Sequence, residues 1–191
     1  MKRLAIVTGI LALAAPLAFA QPSTWTSDSA HSEVDFVVRH MSVSNVHGRF
    51  GKVSAIIVYN EADITKCTVT ATIDVGTAST GEAARDTHIK SPDFFDVAAF
   101  PTATFTSTSV ARNGSKIAVT GNFTLHGVTK PVVLDVEGPS TPGEGMDHKL
   151  HSGFTATTTI SRTAFGIGSK FPSAVLSDEV KLTIELEVVK Q

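Results

Sequence analysis

Lys66-Cys67-Thr68-Val69-Thr70-Ala71-Thr72-Ile73-Asp74-Val75 alternates polar and apolar side chains almost without interruption. Successive side chains leave opposite faces of a strand, so this stretch reads as a β-strand with one apolar and one polar face. The same rhythm returns near the end of the chain in Val180-Lys181-Leu182-Thr183-Ile184-Glu185-Leu186-Glu187-Val188. It also places Val34, Phe36 and Val38 on one face, and likewise Ile117, Val119, Gly121, Phe123 and Leu125. A sheet of such strands, closed on itself, has an apolar interior and a polar shell.

Working outward, eight strands are expected: about 31–38, 47–59, 66–75, 102–110, 116–125, 129–137, 148–160 and 179–189. Asn113-Gly114 and His126-Gly127 are two-residue turn signals, which imply antiparallel neighbours on either side. Two segments break the rhythm. Residues 81–90 hold helix formers without a two-residue period and are followed by Pro92. Residues 161–178 carry Gly166, Gly168 and Pro172 and form a long connection, a common place for function. Both are candidates for the mouth or lid of a ligand site. A lipid-facing barrel would show the reverse polarity with aromatic girdles, which one Trp and one Tyr cannot build. Alternation alone fits both a hollow barrel and a solid sandwich; eight strands suit a barrel able to hold one small ligand.

The first twenty residues read as a secretory signal peptide: basic Lys2 and Arg3, an uncharged apolar run, then Ala18-Phe19-Ala20 as a small-x-small cleavage site. Residues 21–191 are then a single exported domain. Without Lys2 and Arg3 there are 14 basic against 18 acidic side chains, a net charge of −4 that argues against a nucleic-acid partner. Cys67 is the sole cysteine, so no intrachain disulfide forms, and its place on an apolar face predicts a buried thiol.

Five stretches go further than periodicity. His31-Ser32-Glu33-Val34-Asp35-Phe36-Val37-Val38-Arg39-His40, Val46-His47-Gly48-Arg49-Phe50, residues 85–105 from Arg85-Asp86-Thr87-His88 to Phe100-Pro101-Thr102-Ala103-Thr104-Phe105, residues 121–131 around Leu125-His126-Gly127, and Arg162-Thr163-Ala164-Phe165-Gly166 occur in the order of the YceI-like family, which the chain resembles from about Trp25 to Val188. The resemblance implies an all-β fold: an extended, lipocalin-like, eight-stranded antiparallel barrel with a short helix between the third and fourth strands. It also implies a polyisoprenoid or similar amphiphilic lipid inside, a periplasmic location and no catalytic chemistry. No cofactor is required on this reading. An isoprenoid lipid or isoprenoid quinone is the expected ligand class, since members differ in what they carry. Transient contact with a membrane or its proteins and a homodimer stay open.

Val34, Phe36, Val38, Ile73, Val119, Phe123, Phe165 and Ile184 are the expected apolar cavity wall. Burying about 600 Å² of isoprenoid at ~25 cal/mol per Å² is worth roughly 15 kcal/mol before association costs. Arg39, His40, Arg85, His88 and Arg162 are the expected head-group residues, because guanidinium forks and imidazoles suit a phosphate or quinone oxygen. The alternatives for the arginines are helix bracing by Arg85 with Asp86 and surface ion pairs for Arg39 and Arg162. His31, His40 and His88 also suggest a metal-dependent or enzymatic factor, although no compact metal signature or nucleophile motif supports it. His148 and His151, three apart on a strand, should point to opposite faces. A packed structural stress protein with no ligand is the remaining alternative.

Overall fold

The structure, a computed structural model, describes residues 21–191, so the signal-peptide segment lies outside the described residues. Eleven strands are present: β1 (Ser23–Ser27), β2 (Glu33–His40), β3 (Ser44–Phe50), β4 (Val53–Tyr59), β5 (Thr68–Asp74), β6 (Thr102–Asn113), β7 (Lys116–Leu125), β8 (Val128–Glu137), β9 (Gly143–Glu144), β10 (Leu150–Ser161) and β11 (Leu176–Lys190). The one α-helix among the described residues, α1, spans Ala83–Lys90 between β5 and β6. Eight strands close into an antiparallel barrel in the order β11-β1-β4-β5-β6-β7-β8-β10, with β10 pairing back to β11. Closure leaves the ring without open edges.

The 15-residue β11 is the axis of this arrangement. One of its edges pairs with β10 from Ser161–Glu179 to His151–Val189. The other is divided: β1 takes Val188–Lys190, and β2 takes the stretch from Leu176 to Glu185. β2 then turns into β3, so this hairpin continues the wall past the end of β1. Leu176 marks one end of the barrel and Lys190 the other.

The expected strand over 47–59 is two strands, because the chain bends at Gly51-Lys52 between β3 and β4. β1 was not expected; five residues around one buried tryptophan carry too little periodicity. The His126-Gly127 turn is as read: Leu125 pairs with Val128, and both turn residues have positive φ, 51° and 72°. The other hairpin slides by one residue. Asn113 pairs with Lys116, so the turn is Gly114-Ser115, with Gly114 at φ 62°.

Alternation does what the sequence requires. Along β7, Ile117, Val119, Gly121, Phe123 and Leu125 face the interior and are buried. Gly121 is needed there, since a Cβ would meet the Phe105 ring at 2.3 Å and Thr106 O at 2.6 Å. Glu82 caps α1 by accepting from the N–H groups of Ala84 and Arg85, and Asp86 fastens the helix to the preceding loop through Ser79 and Thr80. At the Lys190 end, Trp25, Ile57 and Val188 pack against Tyr59, Val69, Phe154 and Leu186.

Candidate ligand-binding cavity

The barrel interior is hollow in two places. An outer chamber of about 290 Å³ lies at the Leu176 end. Its wall includes Val34, Phe36 and Val38 of β2, and its roof comes from α1, residues 94–95 and residues 171–176. An inner chamber of about 110 Å³ lies deeper, among Val69, Ala71, Val119, Leu134, Ile184 and Leu186. Among the described residues, the side chains with a heteroatom lining the inner chamber are Tyr59, Cys67 and Thr158. Such a space favours hydrocarbon over water, which needs polar partners to stay.

The two segments that interrupt the strand rhythm meet over the outer chamber. Phe94 stacks on Phe171 with ring centroids 5.1 Å apart, and His88 sits edge-on to Phe94 at 5.0 Å. Gly168 N–H donates to Asp93 O at 3.1 Å, and Lys170 pairs with Asp93. Asp93 is held below its ordinary carboxylate range by the hydrogen bond from Lys170 and then by that from His88. Phe95 reaches down to Phe50 and Phe36, at 5.4 and 6.4 Å. Strand periodicity could not reveal these aromatic roof residues, although Phe94-Phe95 after Pro92 and Phe171 before Pro172 are visible as aromatic punctuation in the two candidate lid segments.

Polar groups enter the outer chamber's lining from His40, Thr80, Arg85, His88 and Arg162. His40 and Arg85 are exposed, so the chamber reaches solvent beside them. Arg85 donates from Nε to Thr80 Oγ1 at 2.7 Å and from Nη2 to Thr80 O at 3.1 Å. Those two bonds brace the helix as one of the alternatives had it. Three of its five N–H groups have no protein acceptor among the described residues.

Arg162 differs from the expectation. It is 3 % exposed, and all its nitrogens donate to backbone carbonyls: Nε to Ser177, Nη1 to Ile167 and Gly168, and Nη2 to Phe171 and Leu176, over 2.5–3.0 Å. Neither a surface ion pair nor a free head-group donor, it ties the 163–177 loop into one piece. Burial pushes its guanidinium below the usual range. Arg39 also departs from the expected group. It lines neither chamber and donates outward to Asn45 Oδ1 and Ser42 O, at 3.2 and 3.0 Å.

Of the eight expected apolar residues, Val34, Phe36, Val38, Ile73 and Phe123 line the outer chamber, and Val34, Ile73, Val119, Phe123 and Ile184 the inner one. Phe165 lines neither; it is 2 % exposed and packs edge-on behind Phe123 at 5.6 Å. Cys67 is buried just before β5, accepts from Asn60 N–H at 3.2 Å, and burial pushes its thiol up.

The histidines are dispersed. His40 lies opposite Leu176 and lines the outer chamber with His88, whereas the Asp28–His31 turn bonds to Glu187, so roughly 30 Å of strand separates His31 from His40. His31 Nδ1 is 2.9 Å from Asp28 and 3.9 Å from Glu187, and His151 bridges Glu187 at 2.7 Å and Asp147 at 2.9 Å. Hydrogen bonds donated to these carboxylates, to Asp28 by His31 and first to Asp147 by His151, raise both imidazoles above their ordinary range. The opposite-face expectation for His148 and His151 does not apply. His148 stands in the turn before β10 with φ 60°, bonded to Glu144.

Residues 25–188 match the family model described as YceI-like domain. Protein YceI of Salmonella newport is 37% identical over 166 residues, covering 86% of this chain and 84% of that protein. Among solved structures, a Campylobacter jejuni YCEI protein is 32% identical with a TM-score of 0.70, covering 78% of this chain and 87% of that one. Burkholderia cenocepacia BcnA is 27% identical with a TM-score of 0.73, covering 84% and 98%. A polyisoprenoid binding domain from Saccharophagus degradans is 18% identical and shares the fold at a TM-score of 0.65, covering 87% and 98%.

Proposed function

Because the chain belongs to the YceI-like domain family, we propose that it is a carrier or sequestering protein for an isoprenoid or similar amphiphilic lipid, without catalysis of its own. The observation that carries this reading is the hollow, apolar bore, open at one end beside Arg85, His88 and His40. A hydrocarbon tail would lie among Val34, Phe36, Ile73 and Ile184, and a carbonyl, hydroxyl or phosphate head would take the remaining donors of Arg85. The polyisoprenoid-binding domain that shares the fold is consistent with such a ligand. We place the protein in the periplasm on the strength of Lys2, Arg3 and the Ala18-Phe19-Ala20 cleavage pattern. Met41 and Val43, exposed apolar residues in the turn beside the mouth, would face the membrane from which lipid is drawn.

Mass spectrometry of an organic extract from protein purified out of its native compartment tests the reading. A long-chain amphiphile in near-stoichiometric amount is expected. A lipid-free extract, together with no uptake of long-chain isoprenoid alcohols by the purified protein, would sink it.

A further inference from the structure

The two chambers share four lining side chains: Val34 of β2, Ile73 of β5, Phe123 of β7 and Leu182 of β11. Val34 and Leu182 are diagonal neighbours on the paired strands β2 and β11, and Ile73 and Phe123 come from β5 and β7 elsewhere around the barrel, so the four span the bore rather than forming a patch on one wall. All four are 2–9 % exposed. Phe123 is backed by the buried Phe165 ring, which limits how far it can swing. The polarity of the lining changes at this ring: the charged and imidazole groups all lie on the outer side.

We propose that this ring is a length gauge that makes the protein selective for single-chain amphiphiles long enough to pass it. The proposal rests on the carrier reading and adds to it the class of tail. A tail that stops at the ring contacts the outer chamber alone. A longer tail displaces the ring side chains slightly and gains the inner chamber, whose lining carries no charged or imidazole group. The inner volume of about 110 Å³ has room for the end of one chain, so two-tailed lipids are disfavoured.

The test is isothermal titration of the lipid-free mature protein with geraniol, farnesol and geranylgeraniol. Wild type should show affinity rising at least about tenfold across the series, because each buried methylene contributes to transfer from water. Val119→Phe fills the inner chamber from a position that does not line the outer one, and should compress that span to within about threefold. Phe123→Leu thins the ring and should steepen it. Circular dichroism establishes that each variant is folded; Val119→Leu, a smaller filling, takes the place of Val119→Phe if the latter fails to fold. The same span in wild type and in the folded variants would overturn the gauge while leaving the carrier intact. Failure of wild type to bind any of the three alcohols would remove the carrier reading and the gauge with it.

Discussion

Arg85 and Arg162 look alike in sequence, and their surroundings make them opposites. Removing Arg162 would leave five carbonyls that it now satisfies, so Arg162→Ala should cost more than about 3 kcal/mol and expose the roof loop to proteolysis. Arg85→Ala should alter stability by less than about 1 kcal/mol, since its bonds are exposed, and weaken an oxygen-headed amphiphile about tenfold. Urea melts beside lipid titrations separate the two; comparable destabilisation by both would show that Arg85 is also structural. The sequence could not tell them apart, because the carbonyls around Arg162 converge only after the 163–177 loop has folded. Gly48 is equally mute in sequence. It lies opposite Phe36 across β2 and β3, and a Cβ would meet that ring at 2.2 Å. Gly48→Ala should push Phe36 into the outer chamber, costing about 1–3 kcal/mol and lowering lipid occupancy. A variant with wild-type melting temperature and binding would mean that the ring relocates freely.

The elements were legible wherever alternation ran beyond a few residues, as along β5, β7 and β11, and the helix was legible from the loss of that rhythm. β1 was not, because one apolar tryptophan in five residues sets no period; its strand character comes from pairing with β4 and β11. The contact between the β9–β10 connection and β11 was also hidden, since Asp147, His151 and Glu187 meet only through the register of β10 on β11. That clasp has a pH dependence. The His151 pKa is raised above its ordinary 6.5, so its contribution is complete below about pH 6.5 and is lost as pH rises through the folded value. Asp147 is lowered below its ordinary 3.8, chiefly by His151, and stays ionised across that window. His31, beside Asp28 and Glu187, titrates in the same direction. His151→Gln should therefore destabilise more at pH ~6 than at pH ~9 in denaturant melts. A deficit that grows with pH would contradict the clasp.

At the scale of the whole molecule, an apolar interior was legible from the phase shared by many strands, while the eight-stranded barrel came from the family resemblance, because strand number and alternation also fit a sandwich and the expected set lacked β1. Hollowness was not, because the same side chains in slightly different rotamers would fill the bore, and no sequence pattern records the gap they leave. The position of the mouth was legible in part: the two segments without strand rhythm were the right ones, but their meeting through Phe94 and Phe171 depends on the barrel bringing both to the Leu176 end. The two chambers are volume enclosed by the fold that vanishes when the chain unfolds. Hydrostatic pressure favours the state of smaller volume, so the empty barrel is more vulnerable to compression than a solid protein of its size, and a ligand that fills the chambers makes it harder to crush.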